Sequence, residues 1–238
     1  MKSLIVLAKE NNLPDYQYMD SETLQWIINN PPQIILDSNK DNPIINIELI
    51  NKFIPKREWF IEAKITDSIH GIRHSGRCLA HTINIHKKTP SAELMIAVAL
   101  HDIGRKNDKS DPGHGERSML WLENNLDVVL KNIRIKEIDS RTVINAIKYH
   151  EIPYEDIPDN IINNSKGIID ILKTSDTLDR YIQPKLNWRI NDNFLMNKPT
   201  DSQKLFAYNL VIQVEKNFIS GLSSEEAVMQ ALQSYEVR

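Results

Sequence analysis

The sequence predicts an all-α chain. Apolar residues recur at helical spacing along most of its length, and no stretch joins strand-like alternation to a hairpin signal such as Asn-Gly or Asp-Gly. Only 7 glycines occur among 238 residues, too few for a fold rich in tight turns. The run Gln33 to Leu36, after Pro31 and Pro32, is the one tempting strand.

Taken in order, residues 1 to about 55 are punctuated by Pro14, the Pro31-Pro32 pair, Pro43 and Pro55, and read as a helical extension. A long helix is expected over Asp67 to His86, where Ile69, Ile72, Leu79, Ala80 and Ile83 form one apolar stripe, and Pro90 limits it. Ser91 can cap the next helix, in which Leu94 to Leu100 are consecutively apolar and therefore buried on nearly all sides. Gly104 suits the end of that helix, so His101 and Asp102 fall in its last turn and are carried into the interior. Arg105 to Gly115 reads as a polar loop broken by Pro112 and Gly113. Further helices are expected over Glu116 to Asn125, Ser140 to His150, Lys166 to Ile182, Ser202 to Phe218 and Glu225 to Val237, the last opened by a capping box of Ser223 and Glu226.

Composition narrows the function classes. Hydrophobic residues at 41% and charged residues at 26% are ordinary for a globular chain and argue against long disorder. Cys78 stands alone, so neither an internal disulfide nor a cysteine zinc cluster is possible, and a cytoplasmic location is the default. No run approaches the roughly 18 apolar residues that span a bilayer, and the opening MKSLIVLAKENN is short and soon polar for a signal peptide, so a soluble protein is expected. A net charge of -3 gives no general attraction to nucleic acid but leaves room for a local basic pocket and a small anionic substrate. The sequence does not specify an oligomer.

The chemistry starts at His101-Asp102, a neutral nitrogen donor beside an anionic oxygen donor at the end of an apolar helix. An ionised Asp buried there needs a cation or a strong hydrogen-bond network, whereas a helix end partly open to water needs neither. His74, in HGIRHSGR, shares a helix flank with His70, Arg77 and His81, and one side chain of that flank can meet His101. Asp176, in LKTSDTLDR, sits on a later helix; taken alone it reads as a solvated partner of Lys173 or Arg180.

The order His74, His101-Asp102, Asp176, within HGIRHSGR, ALHDIGRKND, DPGHGERS and LKTSDTLDR, resembles the HD superfamily of metal-dependent phosphohydrolases over about residues 65–185. The resemblance implies a helical bundle over 61–190, flanked by helical extensions at 1–60 and 191–238, the latter packed on the bundle. It implies that His74, His101, Asp102 and Asp176 bind a divalent metal ion (Mn, Mg, Fe, Co, Ni or Zn). The typical reaction is hydrolysis of phosphate esters, often in nucleotides. His114, in GHGERS, and His150, in IKYHEIP, stand where some HD proteins carry a second set of ligands or an acid-base histidine, which allows one or two ions per chain. With two ions Asp102 is the natural bridge; with one, His114 or His150 is free for proton transfer.

A helix start also disfavours protonated His114, keeping its imidazole available. His70, between Gly71 and the site flank, is expected to support a ligand or face substrate, while His81 and His86 take ordinary structural roles. Arg77, Arg105 and Lys106 are the expected phosphate contacts, with Arg117 and Arg180 as alternatives. Trp121, Trp59, Tyr149, Tyr181 and Trp188 read mostly as core or rim.

Departures from particular branches are informative. IGRK follows HD where hydrolases of guanosine tetraphosphate have an acidic pair, the HD-to-GHGE linker differs from that of deoxynucleotide triphosphohydrolases, and no GYP-type sequence follows. The expectation is a phosphomonoesterase or phosphodiesterase that acts on a small, nucleotide-like phosphorylated substrate through metal-activated water. The alternatives are an HD-type diiron oxygenase and a non-catalytic nucleotide-binding or interaction module.

Overall fold

Helix α5 (Ala92–Leu100) is the most apolar segment, and the rest of the bundle closes around it. Ser91 caps it by accepting from Leu94 N, and Leu94 to Leu100 are all buried, as seven consecutive apolar residues require. Around it lie α4 (Ile72–His86), α7 (Ser140–Tyr149) and α8 (Asp159–Leu178), all in contact with α5. Helix α6 (His114–Ile133) packs on α7, while α9 (Asp201–Ile219) and α10 (Ser224–Gln233) close over α4. The three N-terminal helices, α1 (Leu4–Lys9), α2 (Ser21–Asn29) and α3 (Ile47–Phe53), pack at the periphery, α2 against α9 and α3 against α4, α5 and α10.

This computed structural model describes residues 2–32, 42–182, 190 and 192–235, and among them there is no strand. The tempting strand at Gln33 to Leu36 and the aromatic Trp188 lie outside the described residues. Among the described residues no helix is long and apolar enough to cross a membrane.

Several boundaries differ from expectation for local reasons. Helix α4 starts at Ile72, not Asp67, because the chain turns sharply before it: Ile72 N donates to Thr66 O and Gly71 N to Ser68 O. Gly71 permits this turn, since a Cβ there would overlap the carbonyl oxygens of Ile65 and Thr66. Helix α6 begins at His114 and extends to Ile133. Helix α8 begins at Asp159, a turn and more before Lys166, although Asn160, Asn163, Asn164 and Gly167 are weak helix formers. The Ser223–Glu226 capping box of α10 forms as expected, and a second one, Thr200 with Gln203, opens α9.

A buried charge network fastens α9 and α10 to α4. Arg73 and Arg77 are fully buried, as is Glu215 on α9. Arg73 Nε lies 2.9 Å and Arg77 Nη1 2.6 Å from Glu215 Oε1. Arg77 also forks onto Asp179, with Nε 2.6 Å from Oδ1 and Nη2 2.9 Å from Oδ2. Arg73 Nη1 donates to Ser224 Oγ at the start of α10, and its guanidinium stacks 3.5 Å above the Phe218 ring. Two guanidiniums thus meet two carboxylates with no charge left over. Removing one member strands its partners without water, so Glu215→Ala is expected to cost about 3–5 kcal/mol. Denaturant unfolding measures it, and a loss below about 1 kcal/mol would contradict the role given to this network.

Candidate metal centre

Helix ends bring most of the site together. His101 is the C-cap of α5 and Asp102 follows it, His114 is the first residue of α6, His150 is the C-cap of α7, and Asp176 lies two residues before the end of α8. His74 comes from within α4. The turn that follows α5 approaches α6 closely at Gly104, where a Cβ would lie 2.5 Å from Ser118 N. Ser118 Oγ accepts from Gly104 N and donates to His101 O, which locks the HD turn against α6. All these side chains are buried except Asp176, whose carboxylate is 32% exposed.

The four imidazoles share one arrangement. Nδ1 faces an oxygen that can only accept: Asp179 Oδ2 at 2.7 Å for His74, Val98 O at 2.8 Å for His101, Asp111 O at 2.8 Å for His114 and Ile147 O at 2.7 Å for His150. Nδ1 therefore carries the hydrogen, and in the neutral ring Nε2 keeps its lone pair. These Nε2 atoms face each other in pairs, His74 to His101 at 3.1 Å and His114 to His150 at 2.9 Å.

Carboxylate oxygens join the same space. Asp102 Oδ1 is buried without a hydrogen bond, 3.0 Å from His114 Nε2, 3.6 Å from His150 Nε2 and 3.9 Å from His101 Nε2. Asp176 Oδ1 lies 3.5 Å from His74 Nε2 and 3.8 Å from His101 Nε2. Lone pairs directed at one another across such gaps repel unless a cation stands between them. Donors about 2.1 Å from a metal are about 3.0–3.4 Å apart in octahedral or tetrahedral shells, close to these separations. Two groups of donors lie within reach of a common ion, His74 with Cys78, His101 and Asp176, and His101 with Asp102 and His150, and His114 Nε2 stands beside the second.

In the metal-free protein, protons take the cation's place. Burial works to lower the His114 pKa, but the Asp102 carboxylate and then Glu151 outweigh it and push it up to about 10. This overrides the helix-start effect expected from the sequence. Burial pulls its neighbour His150 down to about 4, reinforced by the charges of His114 and His101, so the pair holds one proton. For Asp176 burial acts upward, but its contact with His101 and the charge of His74 hold it well below the ordinary carboxylate range.

Cys78, one turn after His74, was not singled out by sequence reasoning, yet with His74, His101 and Asp176 it forms a group close enough to hold a metal. Its thiol donates to Ser175 O at 3.6 Å, and burial raises its pKa well above the usual value, so the available donors are nitrogen and oxygen.

No protein-family model matches the chain, and no curated protein or solved structure matches it.

The remaining candidates separate cleanly. His70 Nδ1 pairs with buried Asp108 at 2.9 Å, and its ring stands edge-on to His74 without joining the converging donors. Arg77 requires correction: it is no phosphate contact but a fully buried clamp on Asp179, because α9 covers its flank of α4. Lys106 is exposed and does not line the cleft above the donors. Arg117 is held by Gly104 O and Asp111. The cations that do line the cleft are Arg105, Lys173 and Arg180. Arg105 Nε is 2.6 Å from Asp102 Oδ2, and Lys173 donates to His150 O at 2.8 Å. Sequence reasoning also missed Asp179; its spacing of one turn from Asp176 is the only signal it carries. His81 is buried beside Asp179 and Phe206, and His86 bonds Lys88 O, both structural.

Because His114 holds its proton at neutral pH, binding a divalent cation there must displace it. Metal titration at pH 7 in two buffers of different ionisation enthalpy should show proton release, with apparent affinity rising as pH approaches 10. Proton-free binding with no pH dependence would remove His114 from the ligand set. His150→Ala should reduce bound metal toward one ion per chain, read by elemental analysis; two retained ions would exclude it as a ligand.

Proposed function

We propose that this chain is a metal-dependent phosphohydrolase of the HD type, acting on a small, nucleotide-like phosphate ester. The observation that carries the reading is the convergence of four Nδ1-anchored histidines with Asp102 and Asp176, of which His114, His150 and Asp176 line a cleft. That cleft has a volume of about 530 Å³, and its walls carry Arg105, Lys173 and Arg180. The donor order in the sequence supports the same family, and the volume lies within the range of small-molecule sites.

A bound divalent ion supplies Lewis acidity and a water of lowered pKa. The chain supplies the rest. Asp176, open to the cleft, accepts a hydrogen bond from the attacking water and orients it. Arg180, exposed at the cleft one turn beyond Asp176, takes the non-reacting phosphate oxygens. Arg105 adds positive charge from beside Asp102. Lys173, whose pKa burial draws down to about 8, is held by backbone carbonyls and bears on the same wall. His114 and His150 border the cleft as ligands of a second ion or as donors of a proton to the leaving oxygen.

One observation favours a second reading. Asp102 Oδ1 lies between the two histidine pairs, a placement that also suits a diiron centre activating oxygen. Three cations on the cleft wall favour phosphate over it.

Chelation is expected to abolish hydrolysis across a panel of phosphate esters, and Mn, Mg, Co or Ni to restore it. Asp102→Ala should lower turnover by more than about a hundredfold, since even outer partners of metal ligands are worth about 10–100-fold. Undiminished hydrolysis after chelation and in Asp102→Ala would overturn the reading. Oxygen consumption by the iron-loaded protein, without phosphatase activity, would favour the oxygenase.

A further inference from the structure

The lip of the cleft comes from outside the helices that carry the donors. A single 3-10 turn, Asp192–Phe194, leads into Leu195, which is buried, and the segment is tied down on both sides. Thr174 Oγ1, two residues before Asp176 on α8, donates to Asn197 O at 2.7 Å, and Lys204 Nζ pairs with Asp192 at 2.8 Å. This anchoring leaves Phe194 and Met196, on either side of Leu195, turned out at 73% and 61% exposure. They are the two most exposed large hydrophobic side chains among the described residues, and both line the cleft. A single apolar residue on a surface is ordinary. Two of them, held by a buried anchor at the mouth of a cation-lined cleft, are placed to meet a ligand. Ile152, Pro153 and Tyr154 line the same cleft, and the Met196 backbone bonds the Tyr154 hydroxyl.

We propose that Phe194 and Met196 form an apolar clamp that selects phosphate esters whose leaving group carries a flat ring. The ring lies against Phe194 and Met196, and the phosphate lies toward Arg180 and the donor cluster. Arg180 and Phe194 then act at opposite ends of one ligand: the guanidinium reads the anion and the phenyl ring reads the leaving group. The clamp rests on the reading of the donor cluster as a phosphohydrolase centre, but the selectivity itself is a property of binding and is measurable without turnover.

The test compares phenylphosphonate with methylphosphonate, whose C–P bonds resist hydrolysis, by calorimetric titration of the full-length, manganese-supplemented protein. Phenylphosphonate is expected to bind about three- to tenfold more tightly, the range of a ring–ring contact. That ratio should fall toward one in Phe194→Ser/Met196→Ser and be retained in Phe194→Tyr. Both side chains are exposed, so circular dichroism should be unchanged. Equal binding of the two phosphonates, no binding of either, or an unchanged ratio in the double variant would overturn the clamp. Phenyl and methyl phosphate, assayed as substrates, separate the two readings. Ring preference in binding with no hydrolysis of either ester leaves the clamp standing and removes the hydrolase. Hydrolysis of both esters without ring preference in binding does the reverse.

Discussion

Lone pairs that face one another cannot stay buried without a positive charge between them, and the structure depends on that constraint at its centre. The Nε2 atoms of His74 and His101, and those of His114 and His150, meet at about the contact distance of a hydrogen bond, yet each ring has its hydrogen on the far side. Asp102 adds a carboxylate oxygen that is buried and unbonded. Protons can fill part of this space, as the split between His114 and His150 shows, but they leave Asp102 Oδ1 without a proper bond. One or two divalent cations would satisfy these donors together.

The way each Nδ1 is held explains much of the surrounding architecture. His101 and His150 cap helices, where the last four carbonyls have no partner within the helix, and each donates to the carbonyl three residues back, Val98 or Ile147. His114 does the same with Asp111 O in the turn before α6. These three tautomers are set locally, by backbone that would otherwise be unsatisfied. His74 lies in the first turn of α4, away from any helix end that closes on it, and its Nδ1 partner comes from another element. Asp179 provides it from the end of α8. A buried carboxylate then needs a cation, which Arg77 supplies; Arg77 has donors to spare, which Glu215 takes; and Glu215 binds Arg73, which reaches α10. The partner of His74 thus begins a chain of buried charges that ties the two C-terminal helices to the site.

The same distinction shows what was legible in the sequence. The apolar run of α5 placed His101 and Asp102 in the interior, because a helix with no polar face has only one environment available to it. Pro112 and Gly113 marked the break before α6, which starts at His114 rather than Glu116, and the helix expected over Ser140 to His150 placed His150 at its end. Arg77 was misread for a definite reason: one turn beyond His74 is equally consistent with reaching into a cleft and with lying under a covering helix, and only the placement of α9 decides. Asp179 carried only its spacing from Asp176 and Glu215 no signal, since each acts through contacts with α4, 102 and 138 residues away from Arg77 in sequence. The early start of α8 was hidden by asparagines whose weak propensity tertiary packing overrides.

Charges of both signs line the cleft, Glu151, Glu155 and Asp176 with Arg105, Lys173 and Arg180, and their arrangement bears on function. The donor cluster carries Asp102 and Asp176 within a sheath of imidazoles, while Arg105, Lys173 and Arg180 stand on the wall above. Of these, Arg105 is engaged by Asp102, and Lys173 is tethered to backbone carbonyls near His150. A bound cation would draw Asp102 toward itself and weaken its hold on Arg105, so loading the metal and freeing a guanidinium for phosphate become one event. The donor cluster and the wall are therefore coupled through Asp102, the one side chain that borders both histidine pairs and a cleft cation. With a cation bound, an anionic ligand would meet more positive charge in the cleft than without one, and by linkage each would favour binding of the other.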